Sequence, residues 1–203
     1  MDVAIINIVP SFQIRLRELC SADENRVFKW LADPYLVQLT FVAPGPGGLQ
    51  MLPFTGEMAR QYLDILIYDK SRKSFAIEVN NNHVGNIGLK QYNSVQKTSE
   101  CFIEIGEGEY RGRGVGTAAM CMLLDYGFLS LELEEIRLEV LEFNYVAIRV
   151  YERIGFAPTG LTGWHYDCHK QYWRVLGMKI AAERWTAKRQ QVKLSSGVSI
   201  NSL

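Results

Sequence analysis

The sequence shows no charge excess, few cysteines and no long apolar run, and each shortage removes a class of function. Its 203 residues carry 22 lysines and arginines against 22 aspartates and glutamates. Nucleic-acid binders usually carry a basic excess, because neutralising phosphates and releasing counterions drives that association. Balanced charge therefore argues against a nucleic-acid partner. Cys20, Cys101, Cys121 and Cys168 form no C-x-x-C pair, so no dense disulfide framework is predicted. Cys101 and Cys121 fall in apolar runs, where free cysteine serves as a small core residue. No apolar run approaches the roughly 20 residues that a helix needs to cross a bilayer. The stretch from Met1 to Pro10 is apolar but carries Asp2 and no basic n-region, unlike a secretory signal. A cytoplasmic protein with no membrane partner is the expectation. Two phosphate-binding signatures are also missing: there is no Gly-Lys pair for a Walker loop, and the Gly-rich turn does not spell G-x-G-x-x-G. There are no internal repeats.

What is present is a 48% hydrophobic chain, long enough to bury one sizeable core. Period-2 alternation predicts a strand over Gln13 to Leu19. Ser21 with Glu24 suggests a capped helix start, followed by an apolar face of Val27, Trp30 and Leu31 and a stop at Asp33-Pro34. Ala43 to Pro53, with Pro and Gly at its centre, reads as a loop. Glu57 to Tyr68 has helical spacing through Met58, Tyr62, Ile65 and Leu66. Phe75 to Val79 and His83 to Leu89 form a hairpin across the Asn80-Asn81-Asn82 turn. Cys101 to Ile105 continues the sheet with Cys101, Ile103 and Ile105 on one face. A helix follows from Gly114 to Leu129, then a strand from Ile136 to Leu141. Asn144 is a natural N-cap for a helix carrying Ala147, Val150, Tyr151 and Ile154, and Gly155 stops it. A last strand runs from Gln171 to Lys179. The order implies a mixed α/β protein of α+β type, a central mixed sheet flanked by helices. Residues 1–180 form the domain. Residues 181–203 form a polar tail that starts as a helical turn and frays, with Lys188, Arg189 and Lys193 solvated.

The turn from Glu104 to Thr117 joins a strand to a helix, and its core is Arg111, Gly114 and Gly116, spaced R-x-x-G-x-G. Glycines let the backbone turn tightly and approach a ligand. The unpaired N–H groups of a helix start can point at an anion, and the helix dipole favours negative charge there. With Arg111 and Arg113 nearby, the predicted ligand group is a phosphate or pyrophosphate. The competing reading is a plain Gly-rich connection, and the turn by itself does not choose between them.

A second block favours the phosphate reading. Asn144, Ala147, Tyr151, Gly155 and Phe156 match N-x-x-A-x-x-x-Y-x-x-x-G-F, which resembles the strand–helix block of the GNAT acyl-CoA N-acyltransferases. The R-x-x-G-x-G turn resembles that family's pyrophosphate loop, with one helix and one strand between the two blocks. The resemblance covers roughly Gln13 to Ile180, and the branch is similar to ribosomal-protein N-terminal, spermidine and aminoglycoside acetyltransferases. One departure is that Glu104-Ile105-Gly106 runs directly into the loop, where many relatives have more residues.

The resemblance implies acetyl-CoA as acetyl donor, with no metal, and direct transfer to an amine in a ternary complex. Cofactor contacts carry over to Ile105, Gly106, Arg111, Gly112, Arg113, Gly114, Val115, Gly116, Thr117, Asn144, Ala147 and Tyr151. Backbone N–H groups near Ile105 or Gly106 would polarise the thioester carbonyl, where the strand splays in the family. Tyr151 would donate a proton to the departing sulfur, although its position among apolar residues also suits a core tyrosine. Strand alternation puts Glu139 with Arg137 on the face opposite Ile136, Leu138 and Val140. Glu139 is then either the catalytic base or a surface carboxylate paired with Arg137, and Glu104 is the reserve base. A metal site at His165, Asp167, Cys168 and His169 is disfavoured, because a whole site within five residues is unusual. The acceptor would be a small-molecule amine (a polyamine, aminoglycoside or amino sugar) or a protein N-terminus. Glu107, Glu109, Glu134, Glu135 and Glu142 are candidates for an acidic cleft or, equally, a solvated surface. The resemblance permits a homodimer. The alternative function is a non-catalytic CoA-binding sensor or interaction protein.

Overall fold

The computed structural model describes residues 3–8, 12–39, 55–166, 171–195 and 198–200. Strands β1 (Val3–Ile8) and β2 (Phe12–Glu18) lead through a single 3-10 turn at Ser21–Asp23 into α1 (Glu24–Leu31) and α2 (Pro34–Leu39). Helix α3 (Gly56–Tyr68) precedes a meander of β3 (Lys73–Val79), β4 (Asn82–Asn93) and β5 (Thr98–Ile105). Next come α4 (Val115–Asp125), extended by a wider π turn over Tyr126–Ser130, then β6 (Glu135–Leu141) and α5 (Tyr145–Ile154). The chain closes with β7 (Ala157–Tyr166), β8 (Tyr172–Ala181), α6 (Ala182–Ser195) and β9 (Val198–Ile200).

These strands make one sheet in the order β7-β8-β6-β5-β4-β3-β2-β1-β9. Every neighbouring pair is antiparallel except β5 with β6. That parallel pairing covers only Thr98–Glu100 against Glu135–Arg137. Beyond it β5 runs on beside β4 and β6 runs on beside β8, so the two strands part and leave a fork.

Period-2 alternation sorts the sheet's side chains into two cores. Ile14, Leu16, Ile77, Ile87, Cys101, Ile136, Leu138 and Val140 pack with α4, α5 and α6. Ala76 and Phe102 face the other way, against Trp30, Leu31, Leu63 and Leu66 of α1 and α3. Asn80 and Asn81, at φ 50° and 65°, make the tight β3–β4 turn, which short polar side chains tolerate.

Several expectations are revised. Ser21 does not cap α1; Asp23 does the related work by accepting the Cys20 N–H at 3.0 Å. On α3 the buried residues are Ala59, Leu63 and Leu66, and Ile65 is exposed. Helix α4 is buried nearly all round because the sheet and α6 cover both flanks, and Leu129 lies beyond it, exposed. Strand β7 occupies a stretch to which the sequence pattern assigns no element. The expected polar tail begins with the whole of α6, whose Trp185 is 1% exposed and donates from Nε1 to Asp125 at 3.0 Å. Arg189 is not solvated: it pairs with Asp125 at 2.5 Å. Burying a large apolar side chain contributes about 1.5–3 kcal/mol, and Trp185 and Val192 together dock this otherwise polar helix. The Ala43 to Pro53 loop lies outside the described residues, as do Asp167, Cys168 and His169. Among the described residues no helix is long and apolar enough to cross a membrane, and no cluster of potential metal ligands occurs.

Candidate active site

The site is built where the fork, the start of α4 and the start of α5 meet. Gly114 at φ 86° turns the chain into α4 in a left-handed conformation that disfavours a side chain. The first helical closure is Ala118 N–H to Gly114 O at 3.0 Å. The N–H groups of Val115, Gly116 and Thr117 therefore begin the helix without intrahelical partners, a ready anion site. Arg111 faces inward: its Nε donates to Ile105 O and its Nη2 to Gly106 O, both at 2.8 Å. The predicted phosphate ligand thus braces the turn against the end of β5, with the Tyr35 ring 5.3 Å away. Arg113 lies over the Phe12 ring at 4.5 Å, and Gly112 takes φ 69° beside it.

Asn144 caps α5, accepting the Ala147 N–H at 3.2 Å. Gly155, at φ 124°, ends the helix, and Phe156 N–H closes back on Tyr151 O at 2.9 Å. Arg153 reaches across to the start of α4 and donates to Thr117 Oγ1 at 3.2 Å. Sequence reasoning missed this cation beside the anion site, because only the folded chain brings the two helices together. Tyr151 is half-buried against the Phe156 ring, 5.8 Å away. Burial, aided by Cys101 on β5, pushes its phenol well above the ordinary range, so it carries its proton at any physiological pH.

On the opposite sheet face lie Glu104 of β5 and Glu139 of β6. Glu139 is exposed and lines a cavity of about 270 Å³ at the closed end of the fork, with Glu100, Arg137, Thr159 and Thr162. The expected Glu139–Arg137 pair does not form: Arg137 pairs with Glu135 at 2.6 Å, and Lys179 also holds Glu135, at 2.8 Å. Glu104 is 9% exposed and accepts from Asn86 Nδ2 at 2.6 Å. Burial pushes its carboxyl up to about 7, against the opposing pull of Asn86 and His83. Four of the five carboxylates considered for an acidic cleft stand in separate pairs: Glu107 with Lys29, Glu134 with Lys97, Glu135 with Arg137, and Glu142 with Arg174.

Residues 13–157 match the acetyltransferase (GNAT) domain. The chain belongs to the GNAT family. It is 31% identical over 124 residues to spermidine N(1)-acetyltransferase of Escherichia coli K12, a match spanning 61% of this chain and 66%, just under two thirds, of that relative. It is 28% identical over 180 residues to a putative ribosomal N-acetyltransferase of Bacillus subtilis, covering 81% of this chain and 87% of the other. The GNAT fold is shared with Mycobacterium smegmatis RimJ in complex with CoA-disulfide, at TM-score 0.78, 17% identity and 98% and 96% coverage of the two chains. It is shared too with Vibrio cholerae spermidine N-acetyltransferase in complex with CoA and spermine, at TM-score 0.73, 23% identity and 85% and 98% coverage.

Proposed function

We propose that the protein transfers an acetyl group from acetyl-CoA to a primary amine by direct attack in a ternary complex. The observation that carries this reading is the parting of β5 and β6 beside the unpaired N–H groups of Val115, Gly116 and Thr117. Those donors, with Arg153 beside them, suit a pyrophosphate, and the unpaired strand edges of the fork suit an extended, amide-containing arm. Acetyl-CoA supplies both, together with an activated thioester. Two solved relatives, RimJ and the V. cholerae enzyme, hold CoA-disulfide and CoA.

Tyr151 holds the proton that a departing thiolate needs, since its phenol stays protonated. Glu104 takes the proton of the attacking amine: a carboxyl with a value of about 7 is matched to a base working near neutrality. Its Oε2 has no hydrogen bond from a described residue. Glu139, exposed on the same face and paired with no described residue, receives the ammonium of an incoming amine in the polar cavity. One relative is named for spermidine, another by name as a putative ribosomal N-acetyltransferase, and a solved neighbour holds spermine beside CoA; spermidine and spermine both bear primary amines.

Incubation with acetyl-CoA and separate pools of polyamines, aminoglycosides, amino sugars and N-terminal peptides tests the reading. Release of the CoA thiol with a one-acetyl mass increase in one pool is the expected result. Tight acetyl-CoA binding with no acceptor in any pool would favour the non-catalytic sensor.

A further inference from the structure

On the α1/α3 side of the sheet a row of polar side chains crosses four strands. Arg17 on β2 donates to both Asp23 oxygens at 2.7 and 2.8 Å, and its Nε donates to Glu78 on β3 at 2.6 Å. Asp23 Oδ1 lies 2.9 Å from His83 Nδ1. His83 Nε2 is 3.0 Å from Gly85 O and 2.9 Å from Asn86 Oδ1. Asn86 Nδ2 then donates to Glu104. Asp23, His83 and Asn86 are 4%, 3% and 0% exposed, and polar groups so deep are retained only when paired.

The protons in this row have one consistent arrangement. Gly85 O can only accept, so His83 Nε2 carries a hydrogen. The Asn86 atom facing that N–H is therefore its carbonyl oxygen, which aims the amide nitrogen at Glu104. A donor aimed at a carboxyl group favours the ionised form, because the charge-assisted bond is the stronger. A reversed amide would present oxygen and favour the protonated acid. His83 thus decides which end of Asn86 meets Glu104, and Asp23, fixed by Arg17 and the Cys20 N–H, faces the other ring nitrogen.

We infer that Asp23, His83 and Asn86 are positioning residues for acetyl transfer, a buried row that keeps an amide donor on Glu104 so that its carboxylate is ready to take the amine proton. This rests on the acetyltransferase reading and deepens it. The groups facing Glu104 are Asn86 and His83 from β4 and Tyr62 from α3, with Arg72 near Tyr62. From α1, Trp30 packs edge-on against His83 at 4.8 Å. Among the described residues, the groups that favour the ionised form of Glu104 against burial are Asn86 and His83.

The direct test is a ¹³C NMR titration of the Glu104 carboxyl, assigned by its loss in Glu104→Gln. In the native protein it should titrate near 7. Asn86→Leu, which keeps the volume and removes the donor, and His83→Leu, which releases the amide to reverse, should move the midpoint upward by at least half a pH unit. His83→Gln, which can still donate to Asn86, should restore most of the native midpoint. Asp23→Asn, of unchanged shape, gives a second probe if a leucine variant does not fold, and should shift the midpoint the same way by less. Unmoved midpoints in the folded variants would overturn the row. In turnover, Asn86→Leu should lose most rate at low pH and recover at high pH, with the KM for acetyl-CoA unchanged, and should add nothing in a Glu104→Gln background. An equal loss at every pH would mean a merely structural role. A native protein that transfers no acetyl group would refute the functional reading and, with it, the catalytic role of the row, leaving the titration to report its geometry.

Discussion

Glu104 and Glu139 stand on neighbouring strands and the same sheet face, yet their surroundings differ in kind. Glu104 is buried, fixed by Asn86 and backed by a row running to Arg17. Glu139 is exposed, pairs with no described residue and lines a polar cavity of about 270 Å³. The difference follows from what covers each strand. Helices α1 and α3 lie over the β5 side and exclude water, whereas the face of β6 around Arg137 and Glu139 is open. In the proposed reading, identical chemical groups take separate tasks from their environment: the desolvated carboxyl serves as the base, and the solvated one as a docking point for a cation.

The largest test of this division is Glu104→Gln. It should lower kcat by about 10²-fold or more, with acetyl-CoA affinity retained; near-native turnover would erase the distinction. Tyr151→Phe comes next, with at least about a tenfold loss in kcat and intact cofactor binding by calorimetry. It should leave the pH dependence set by Glu104 in place, since it removes the acid and leaves the base. Glu139→Gln should act mainly on the amine, raising its KM several-fold, roughly the ~1 kcal/mol of a partly exposed ion pair, with kcat little changed. A kcat collapse here would exchange the two roles.

Stability against pH tests the buried carboxylate without any substrate. The folded Glu104 carboxyl stands at about 7 against an ordinary 4.5, so the folded state binds that proton more tightly than the unfolded chain. The native protein therefore loses stability as pH rises from about 4.5 through 7, by up to about 3 kcal/mol. Glu104→Gln should escape that loss, unfolding at a higher temperature than the native protein at pH 8 and at a similar one at pH 4.

The half of the site made by consecutive residues was legible in the sequence. The left-handed Gly114, the Asn144 cap and the Gly155 stop are local devices, and each needs its residue type at one position. The alternation that puts Glu139 opposite Leu138 and Val140 was equally readable. The other half was not. Asp23, His83, Asn86 and Glu104 come from a turn and two strands, and no spacing links them; the one signal was a polar Asn86 inside the apolar run from Val84 to Leu89. Arg111 was read as a phosphate ligand because its charge was visible and the Ile105 and Gly106 carbonyls that hold it were not. Helix α6 looked like a fraying tail because its few apolar residues are isolated in sequence, and only Asp125, far earlier in the chain, anchors Trp185 and Arg189.

The most direct measurement is kcat/KM for the amine against pH in the native protein, Glu104→Gln and Glu139→Gln. An ascending limb with its midpoint near 7 in the native protein, lost in Glu104→Gln and kept in Glu139→Gln, is the predicted result. A limb that survives in Glu104→Gln, or vanishes in Glu139→Gln, would contradict it.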